Sequence, residues 1–279
     1  MLLVIDVGNT NTVLGVFAGD ELRAHWRLTT NREQTADEYG ILIRNLFALE
    51  GLEPRLITGM MIASVVPPLN GLLEEMAQKY FGIKALFLEP GTRTGMAIHY
   101  DNPQEVGADR IADAVAAFAK YGGPCVIVDF GTAITFDAVS KNGEYLGGII
   151  CPGLGIAAEA LFARAARLPR VEIREPERVI GTNTVASMQS GLFYGAVSLV
   201  DGILERLIGV LGAGTRVVAT GGQASLVAGA SRYKPPVDPW LTLDGLRLIY
   251  QRNAAEAAGA GVKAKKKAPA LRPAPGAKR

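Results

Sequence analysis

The sequence contains few of the residues that build disulfide-stabilised or metal-stabilised folds. Only two cysteines, Cys125 and Cys151, and two histidines, His25 and His99, occur in 279 residues. Both cysteines lie in apolar, strand-like runs, and neither histidine has a Cys or His neighbour at the spacing of a zinc ligand pair. We therefore expect small core cysteines rather than a disulfide, and no structural zinc site.

Long uncharged apolar segments are also missing. No stretch of about 18 uncharged apolar residues occurs, which argues against a membrane span. The N-terminus has no basic segment, and Asp6 interrupts its apolar run, so a secretory signal peptide is not expected. These absences predict a cytoplasmic protein that has no membrane partner.

Neither sign of charge is in large excess, with 29 Lys and Arg against 27 Asp and Glu and a net charge of +2. The basic residues are concentrated in segment 254–279, which is rich in Ala, Gly, Pro and Lys. Because this segment has little to bury, we expect it to be disordered. It lacks aromatic residues for base stacking, so a solvated appendage is favoured over a nucleic-acid-binding tail.

The most informative feature that is present is a repeated motif. Val4–Phe17 (VIDVGNTNTVLGVF) and Ile127–Val139 (IVDFGTAITFDAV) each contain an apolar run that ends in a single aspartate, Asp6 or Asp129. A hydrophobic residue, a glycine, a short polar turn and a second apolar run follow. The pattern predicts a strand, an Asp-bearing tight turn and a strand, twice in one chain.

One such motif alone is typical of an ordinary hairpin turn, in which glycine supplies a positive φ and aspartate caps its own backbone. Two copies favour a shared cleft between two similar half-domains. Backbone N–H groups of Gly-rich turns hold phosphate oxygens, and carboxylates hold hydrated Mg²⁺. The repeat therefore predicts a site for a nucleoside triphosphate with its metal.

The remaining patterns predict an α/β protein with two duplicated lobes. We expect lobes at residues 1–118 and 119–253, followed by the tail at 254–279. The expected helices are Ala36–Glu50, Pro67–Tyr80, Gly107–Tyr121, Leu154–Ala166, Thr184–Leu211, Gly222–Ala228 and Leu243–Asn253, the last with Thr242 as N-cap. The apolar content of Thr184–Leu211 is broader than one stripe, which core burial and a dimer interface would explain together.

Two shorter segments each have two interpretations. The glycine pair in Ala219–Ala224 suits either a ligand close to the backbone or an ordinary strand-to-helix connection. Asp109, in the first turn of a predicted helix, favours the helix dipole, and it is also placed to accept a proton from a substrate hydroxyl. Its neighbour Arg110 suits a substrate carboxylate.

Together these segments resemble one family, the type III pantothenate kinases. The resemblance rests on DVGNTN at Asp6–Asn11, GADR at Gly107–Arg110, DFGTA at Asp129–Ala133 and ATGG at Ala219–Gly222. IHYDNP, GGIICPG, GTNTVASMQSG and DPWLTLDGL resemble it as well, so that about residues 1–253 are covered. This family belongs to the superfamily of actin, heat-shock chaperones and sugar kinases, which implies two ribonuclease-H-like lobes with a nucleotide cleft between them.

The resemblance also implies roles for individual residues. ATP would bind to Asp6, Val7, Gly8, Asn9, Thr10, Asn11, Thr12 and Val13 of a first phosphate loop, and to Thr132 of a second. Asp129 would bind a monovalent cation, K⁺ or NH₄⁺, and Asp109 would be the general base. Pantothenate would be held by Tyr100, Gly107, Ala108, Asp109 and Arg110, with Thr184 adding a contact. The family is dimeric with this site at the interface, so Thr184 would come from the partner chain.

The implied activity is phosphorylation of the terminal hydroxyl of pantothenate by ATP with Mg²⁺, the first step toward coenzyme A. A kinase for a sugar or short acid is an alternative within the same fold. A nucleotide-binding regulator without turnover is an alternative of another class. The presence of all three of Asp6, Asp109 and Asp129 argues against the regulator.

Overall fold

The computed structural model describes residues 1–165 and 167–266 of the chain. Within them the chain forms nine β-strands and seven α-helices. The strands are β1 Leu2–Val7, β2 Asn11–Ala18, β3 Glu21–Thr29, β4 Gly59–Ser64, β5 Leu86–Phe87, β6 Cys125–Phe130, β7 Ala133–Val139, β8 Tyr145–Pro152 and β9 Arg216–Thr220. The helices are α1 Ala36–Leu49, α2 Asn70–Phe81, α3 Ala108–Tyr121, α4 Leu154–Arg164, α5 Thr184–Leu211, α6 Ala224–Ala228 and α7 Leu241–Lys266.

The strands form two sheets with the same plan. The first has the order β3-β2-β1-β4-β5, and the second has the order β8-β7-β6-β9. In each sheet three antiparallel strands are followed by a parallel strand next to the first, β4 beside β1 and β9 beside β6. The duplicated α/β architecture predicted from the repeated motif is therefore confirmed.

The central strand of each sheet is apolar on both faces because helices cover both. In β1, Leu3 and Ile5 face a core that α1 and α2 complete with Phe47 and Leu73. The alternate residue Val4 faces a different core. In the second sheet, α5 covers one face of β6. This two-sided burial fixes the ends of β1 and β6, where the two Asp loops begin.

Helices α3 and α7 lie between the two sheets and pack against each other. Ala112 of α3 belongs to a core with β1 and β4, whereas Ala114 and Ala117 belong to a core with β6 and β7. The Ala-rich sequence of α3 permits this double contact because small side chains let both sheets approach. Its first turn is thereby held near the ends of both central strands.

The last helix differs from its prediction in three respects. It begins at Leu241, so Thr242 is not its N-cap, and the Thr242 hydroxyl donates to Asp113 Oδ1 at 2.7 Å. Although the predicted boundaries place it in the second lobe, α7 packs on the first sheet, where Leu246 and Ile249 are buried. It also continues to Lys266, inside the segment expected to be disordered.

Ala-rich sequence has a high helix propensity, which accounts for that continuation. Residues 267–279 of the predicted tail, and Ala166 at the predicted end of α4, lie outside the described residues.

Two of the predicted absences can be compared with this fold. Cys125 is buried, Cys151 is half-buried, and both are free thiols as expected. Among the described residues, none of the helices combines the length and apolarity that a bilayer crossing requires.

Candidate active site

A cleft of about 280 Å³ opens where the two sheets face each other. Its lining includes Asp6, Gly8, Asn9, Thr10, Asn11 and Val13 of the first loop and Asp129, Gly131, Thr132, Ala133 and Thr135 of the second. Asp109 of α3 and the turn Thr220–Gly222 after β9 complete much of the wall. The three predicted aspartates, which are far apart in sequence, therefore lie in one cleft.

In each Asp loop the glycine N–H donates to a carbonyl two or three residues further along the chain. The Gly8 N–H donates to the Asn11 carbonyl at 2.9 Å, and the Gly131 N–H donates to the Ala133 carbonyl at 3.0 Å. Across the cleft the hydroxyls of Thr10 and Thr132 are hydrogen-bonded at 2.9 Å. Both loops thus reach the same small volume, as two loops that share one triphosphate must.

Two residues predicted for the ATP site have side chains that point elsewhere. Val7 is fully buried in the core of the first sheet. The buried Thr12 hydroxyl pairs with the Thr30 hydroxyl at 2.9 Å, and Thr30 in turn donates to the Gly8 carbonyl at 2.7 Å. Val7 and Thr12 therefore support the loop, and any contact they make with ATP is through the backbone.

Negative charge dominates the cleft. Burial raises the pKa of Asp129 to about 7, and the charge of Asp109 contributes. Burial, followed by the charges of Asp109 and Asp129, raises the pKa of Asp6 well above its usual range. Arg27 opposes these shifts only in part. Oxygen ligands that repel one another fit a hydrated Mg²⁺ and a monovalent cation, because a bound cation relieves the repulsion.

The carboxylates do not form a closed cage. Within the described part of the chain, no three His, Cys, Asp or Glu side chains are grouped as metal ligands. A cation beside Asp129 would therefore take its other ligands from backbone carbonyls, water or a nucleotide, as hard cations commonly do.

The glycine turn after β9 lines the cleft and also connects β9 to α6, as both of its interpretations require. Thr220 lies opposite Asp129 in the parallel ladder of β9 and β6. Gly221 has φ +92°, and a Cβ atom there would lie 2.2 Å from Asp129 Oδ1. Only glycine permits this approach, so the turn is built against the Asp129 carboxylate.

Asp109 lies in the first turn of α3 and is half-buried. Its Oδ1 accepts the Arg110 backbone N–H at 2.8 Å. A Cβ atom on Gly107 would lie 2.4 Å from the same oxygen, so a larger residue there would displace the Asp109 carboxylate from this position. Burial raises the pKa of Asp109. The carboxylate is thus held at the cleft with an environment suited to proton transfer.

Apart from Asp109, the predicted pantothenate residues do not line the cleft. Gly107 and Ala108 line an adjacent pocket of about 660 Å³, and Val65 belongs to both this pocket and the cleft. Arg110 is paired with Asp137, and Tyr100 lies beside Tyr145. These residues extend the site away from the phosphate loops.

Thr184 is the exception, because it lines a separate pocket at the start of α5. Within one chain it is not part of the cleft or of the adjacent pocket lined by Gly107.

Some residues of the cleft were not predicted. They are Arg27, Val65, Pro239, Thr242 and Leu243. Arg27 lies opposite Val13 in the antiparallel pair of β2 and β3. Strand pairing after the first Asp loop could have suggested it, whereas Pro239, Thr242 and Leu243 approach only because α7 returns to the first sheet.

The fold and the cleft define an α/β protein in which two similar sheets share an acidic cleft. A similar fold occurs in the activator of the 2-hydroxyisocaproyl-CoA dehydratase from Clostridium difficile with bound ADPNP, with TM-score 0.54, 12% identity and coverage of 98% of this chain and 99% of that one. A conserved putative Baf family transcriptional activator from Campylobacter jejuni superposes with TM-score 0.59 and 22% identity, covering 91% and 99% of the two chains. These likenesses concern the fold alone.

The chain belongs to the type III pantothenate kinase family, whose model matches residues 2–206. The type III pantothenate kinase of Koribacter versatilis (strain Ellin345) is 59% identical over 263 residues, which cover 91% of this chain and 96% of the relative. That of Anaeromyxobacter sp. (strain Fw109-5) is 58% identical over 253 residues, covering 91% and 100%. The family resemblance found in the sequence motifs is confirmed.

Proposed function

We propose that this protein transfers the γ-phosphoryl group of ATP to the terminal hydroxyl of pantothenate, the first step of coenzyme A biosynthesis. The observation that carries the proposal is the convergence of Asp6, Asp109 and Asp129 from both lobes on one cleft, in a chain that belongs to this family. Because the reaction consumes ATP, we place the enzyme in the cytoplasm, with no nucleic-acid partner.

In the proposed reaction the two loops position the triphosphate. Backbone N–H groups and the hydroxyls of Thr10 and Thr132 face the phosphate oxygens, supported by the turns at Gly8 and Gly131. Mg²⁺ and a monovalent cation at Asp129, when bound, neutralise charge on the transferring phosphoryl group. Catalysis of this kind is mostly positioning and electrostatic stabilisation.

Asp109 is the proposed general base. Its carboxylate accepts the proton of the pantothenate hydroxyl as that oxygen attacks the γ-phosphorus. The raised pKa brings it closer to the pKa range in which a carboxylate exchanges protons effectively near neutral pH. The rigid first turn of α3 and the glycine at position 107 fix its direction.

Pantothenate would lie between the cleft and the adjacent pocket, against Tyr100, Gly107, Ala108 and Arg110. In one chain Thr184 lines a different pocket from Gly107 and Ala108. We therefore propose a homodimer in which Thr184 of the partner chain completes the site. Exposed apolar side chains in the second lobe, at Ile150, Ile156, Leu161, Phe162 and Val185, are suited to such an interface.

The experiment is ADP formation from ATP and Mg²⁺, with a panel of acceptors and with or without K⁺. The proposal predicts turnover that requires pantothenate and is stimulated by K⁺. Glucose, glycerate and buffer alone serve as matched controls in the same assay. Turnover with a sugar or short acid in place of pantothenate would contradict the proposed substrate, and ATP binding without any turnover would favour a regulator.

A further inference from the structure

A buried polar cluster joins Arg110 of α3 to side chains of β7 and β8. Asp137 of β7 is fully buried and lies at its centre. The Arg110 Nε donates to Asp137 Oδ1 at 2.8 Å, and its Nη2 is 2.7 Å from the same oxygen. The Tyr145 hydroxyl also donates to this oxygen, at 2.6 Å, and the Thr135 hydroxyl donates to Oδ2 at 3.2 Å.

The backbone beneath this cluster is shaped to admit it. A Cβ atom on Gly148 would lie 2.6 Å from Arg110 Nη2 and 2.0 Å from the Phe136 carbonyl oxygen. Its neighbour Gly147, with φ +113°, lies under the ring of Tyr100. The absence of side chains at Gly147 and Gly148 of β8 thus leaves space for the Tyr100 ring and the Arg110 guanidinium.

We propose that Asp137 is a positioning residue for substrate recognition: it holds the inner edge of the Arg110 guanidinium so that the remaining N–H donors bind the carboxylate of pantothenate. A guanidinium carries more N–H donors than Asp137 engages. Side-chain exposure of Arg110 is only 10%, so the orientation of the small accessible part decides what it binds. The inference rests on the proposed function and concerns its specificity.

The contacts of Arg110 explain why the residue that holds it, Asp137, is negatively charged and not neutral. A bond between a charged donor and a charged acceptor is stronger and more directional than a neutral bond. Asp137 also supplies a counter-charge when no substrate is bound, so that Arg110, which has little access to water, is not left unpaired. Tyr145 and Thr135 orient the Asp137 carboxylate in turn.

The test compares two acceptors that carry the same hydroxyl, pantothenate and the alcohol in which CH₂OH replaces its carboxylate. The measured quantity is the ratio of kcat/KM for pantothenate to kcat/KM for the alcohol. In Asp137→Ala we expect this ratio to fall roughly 10- to 100-fold, since a charge-assisted contact is lost. The KM for ATP should stay within about threefold of wild type, and because the ratio compares two acceptors in one enzyme, it cancels a change in kcat caused by removing the Asp137 charge near Asp109 and Asp129.

Asp137→Asn separates position from charge. Its amide oxygen can still accept from Arg110 Nε but carries no charge, so this variant should recover part of the ratio that Asp137→Ala loses. Tyr145→Phe removes the hydroxyl that orients Asp137, and it should lower the ratio roughly 3- to 10-fold without removing the ion pair. If Asp137→Ala does not fold, Tyr145→Phe and Asp137→Asn decide the question.

A matched control exists in the same lobe. Asp201 is also buried and accepts hydrogen bonds from the Ser231 hydroxyl at 2.7 Å and from Arg232 Nε at 3.3 Å. Asp201→Ala should lower thermal stability and leave the acceptor ratio unchanged, because this pair does not line the cleft or the adjacent pocket.

Three results would overturn the inference while leaving the kinase intact. One is a wild-type enzyme that uses pantothenate and its alcohol equally well. Another is an unchanged ratio in all three variants. The third is a lower KM for pantothenate in Asp137→Ala, which would mean that Asp137 competes with the substrate for Arg110. Failure of the proposed function is distinct, because the wild-type enzyme would then show no pantothenate turnover.

Discussion

At the scale of single residues, the adjacent glycines Gly221 and Gly222 differ in how closely other atoms pack against them. A Cβ atom at Gly221 would collide with Asp129 Oδ1 and with the Phe130 backbone, and φ +92° is unfavourable for alanine. At Gly222 the nearest atom to a Cβ would be an Arg27 guanidinium nitrogen at 3.6 Å. The two substitutions therefore differ in outcome although they are neighbours in the chain.

We expect Gly221→Ala to lower the free energy of unfolding by about 1–3 kcal/mol and to reduce kcat/KM more than 10-fold, because backbone strain and displacement of Asp129 act together. Gly222→Ala should keep near wild-type stability and activity. Denaturant unfolding and steady-state kinetics of both variants measure this. Equal behaviour of the two variants would contradict the packing described for Asp129.

A second test at this scale concerns Asp113, one helical turn beyond Asp109 and only 2% exposed. Burial, and then the charge of Asp129, raises its pKa well above the usual value of 3.8, while the Thr242 hydroxyl acts in the opposite direction. The folded protein thus holds the Asp113 proton more tightly than the unfolded chain. Stability contributed by this group falls as the pH rises from 3.8 through the folded pKa.

Asp113→Asn should therefore be more stable than wild type at pH 8, by on the order of 1–3 kcal/mol, with a smaller difference at pH 5. The amide oxygen can still accept from Thr242, so the packing is kept. Denaturant unfolding at both pH values measures the difference, with Glu74→Gln on the exposed face of α2 as control. A difference that grows toward pH 5 would have the wrong sign and would reject the explanation.

At the scale of secondary-structure elements, the crossing of α3 and α7 shapes the cleft. A Cβ atom on Gly245 would lie 2.0 Å from the Ala112 carbonyl oxygen, so the two helices touch through their backbones. Thr242 and Leu243, one turn earlier in α7, line the cleft. A wider crossing would consequently move one wall of the site.

Gly245→Ala should destabilise the protein by about 1–3 kcal/mol and lower activity, because overpacking at this contact cannot be relieved by a side-chain rotation. Gly209→Ala is the matched control, since Gly209 is exposed on α5 with no atom within 4 Å of an added Cβ. There alanine should stabilise the helix by about 0.5–1 kcal/mol. Thermal unfolding of both variants measures whether each substitution raises or lowers stability. A stabilising Gly245→Ala would refute the close crossing.

The elements differ in how far sequence alone defines them. The bounds of α5 match the prediction, because the helical apolar pattern is strong there and a glycine follows the helix. The start of α7 was misplaced since Thr242 has a side chain suited to an N-cap and is instead engaged by Asp113. Its return to the first sheet depends on tertiary packing, which no local pattern encodes.

The residues of the candidate site also differ in how far the sequence alone predicts them. The Asp loops were predictable because each repeats a local motif, and their meeting followed from the duplication. Arg27 and Asp137 were not, because each is a single polar residue on an alternating strand. Their partners become neighbours only through strand pairing or through α3, so the relevant contacts are not visible in any short window.

At the scale of the whole molecule, the proposed dimer makes a prediction about complementation. If Thr184 acts on the partner's site, a mixed dimer of an Asp109→Asn chain and a Thr184→Arg chain contains one intact site. When equal amounts of the two inactive homodimers exchange subunits without unfolding, half of the dimers become mixed, and each mixed dimer has one intact site of two. About a quarter of wild-type activity should then return. Sedimentation velocity monitors the dimer throughout. No recovery, with exchange demonstrated by a tag on one chain, would place Thr184 outside the partner's site.

The central claim is that Asp109 acts on the substrate hydroxyl, whereas the two loops form the ATP site without it. The most direct measurement is the kcat of pantothenate phosphorylation by Asp109→Asn beside wild type, with the Kd for ATP determined on the same preparations. The account predicts a kcat lowered by about 10²–10⁴-fold with little change in the Kd for ATP. A variant that keeps the full rate would show that Asp109 is not the base and would contradict the account.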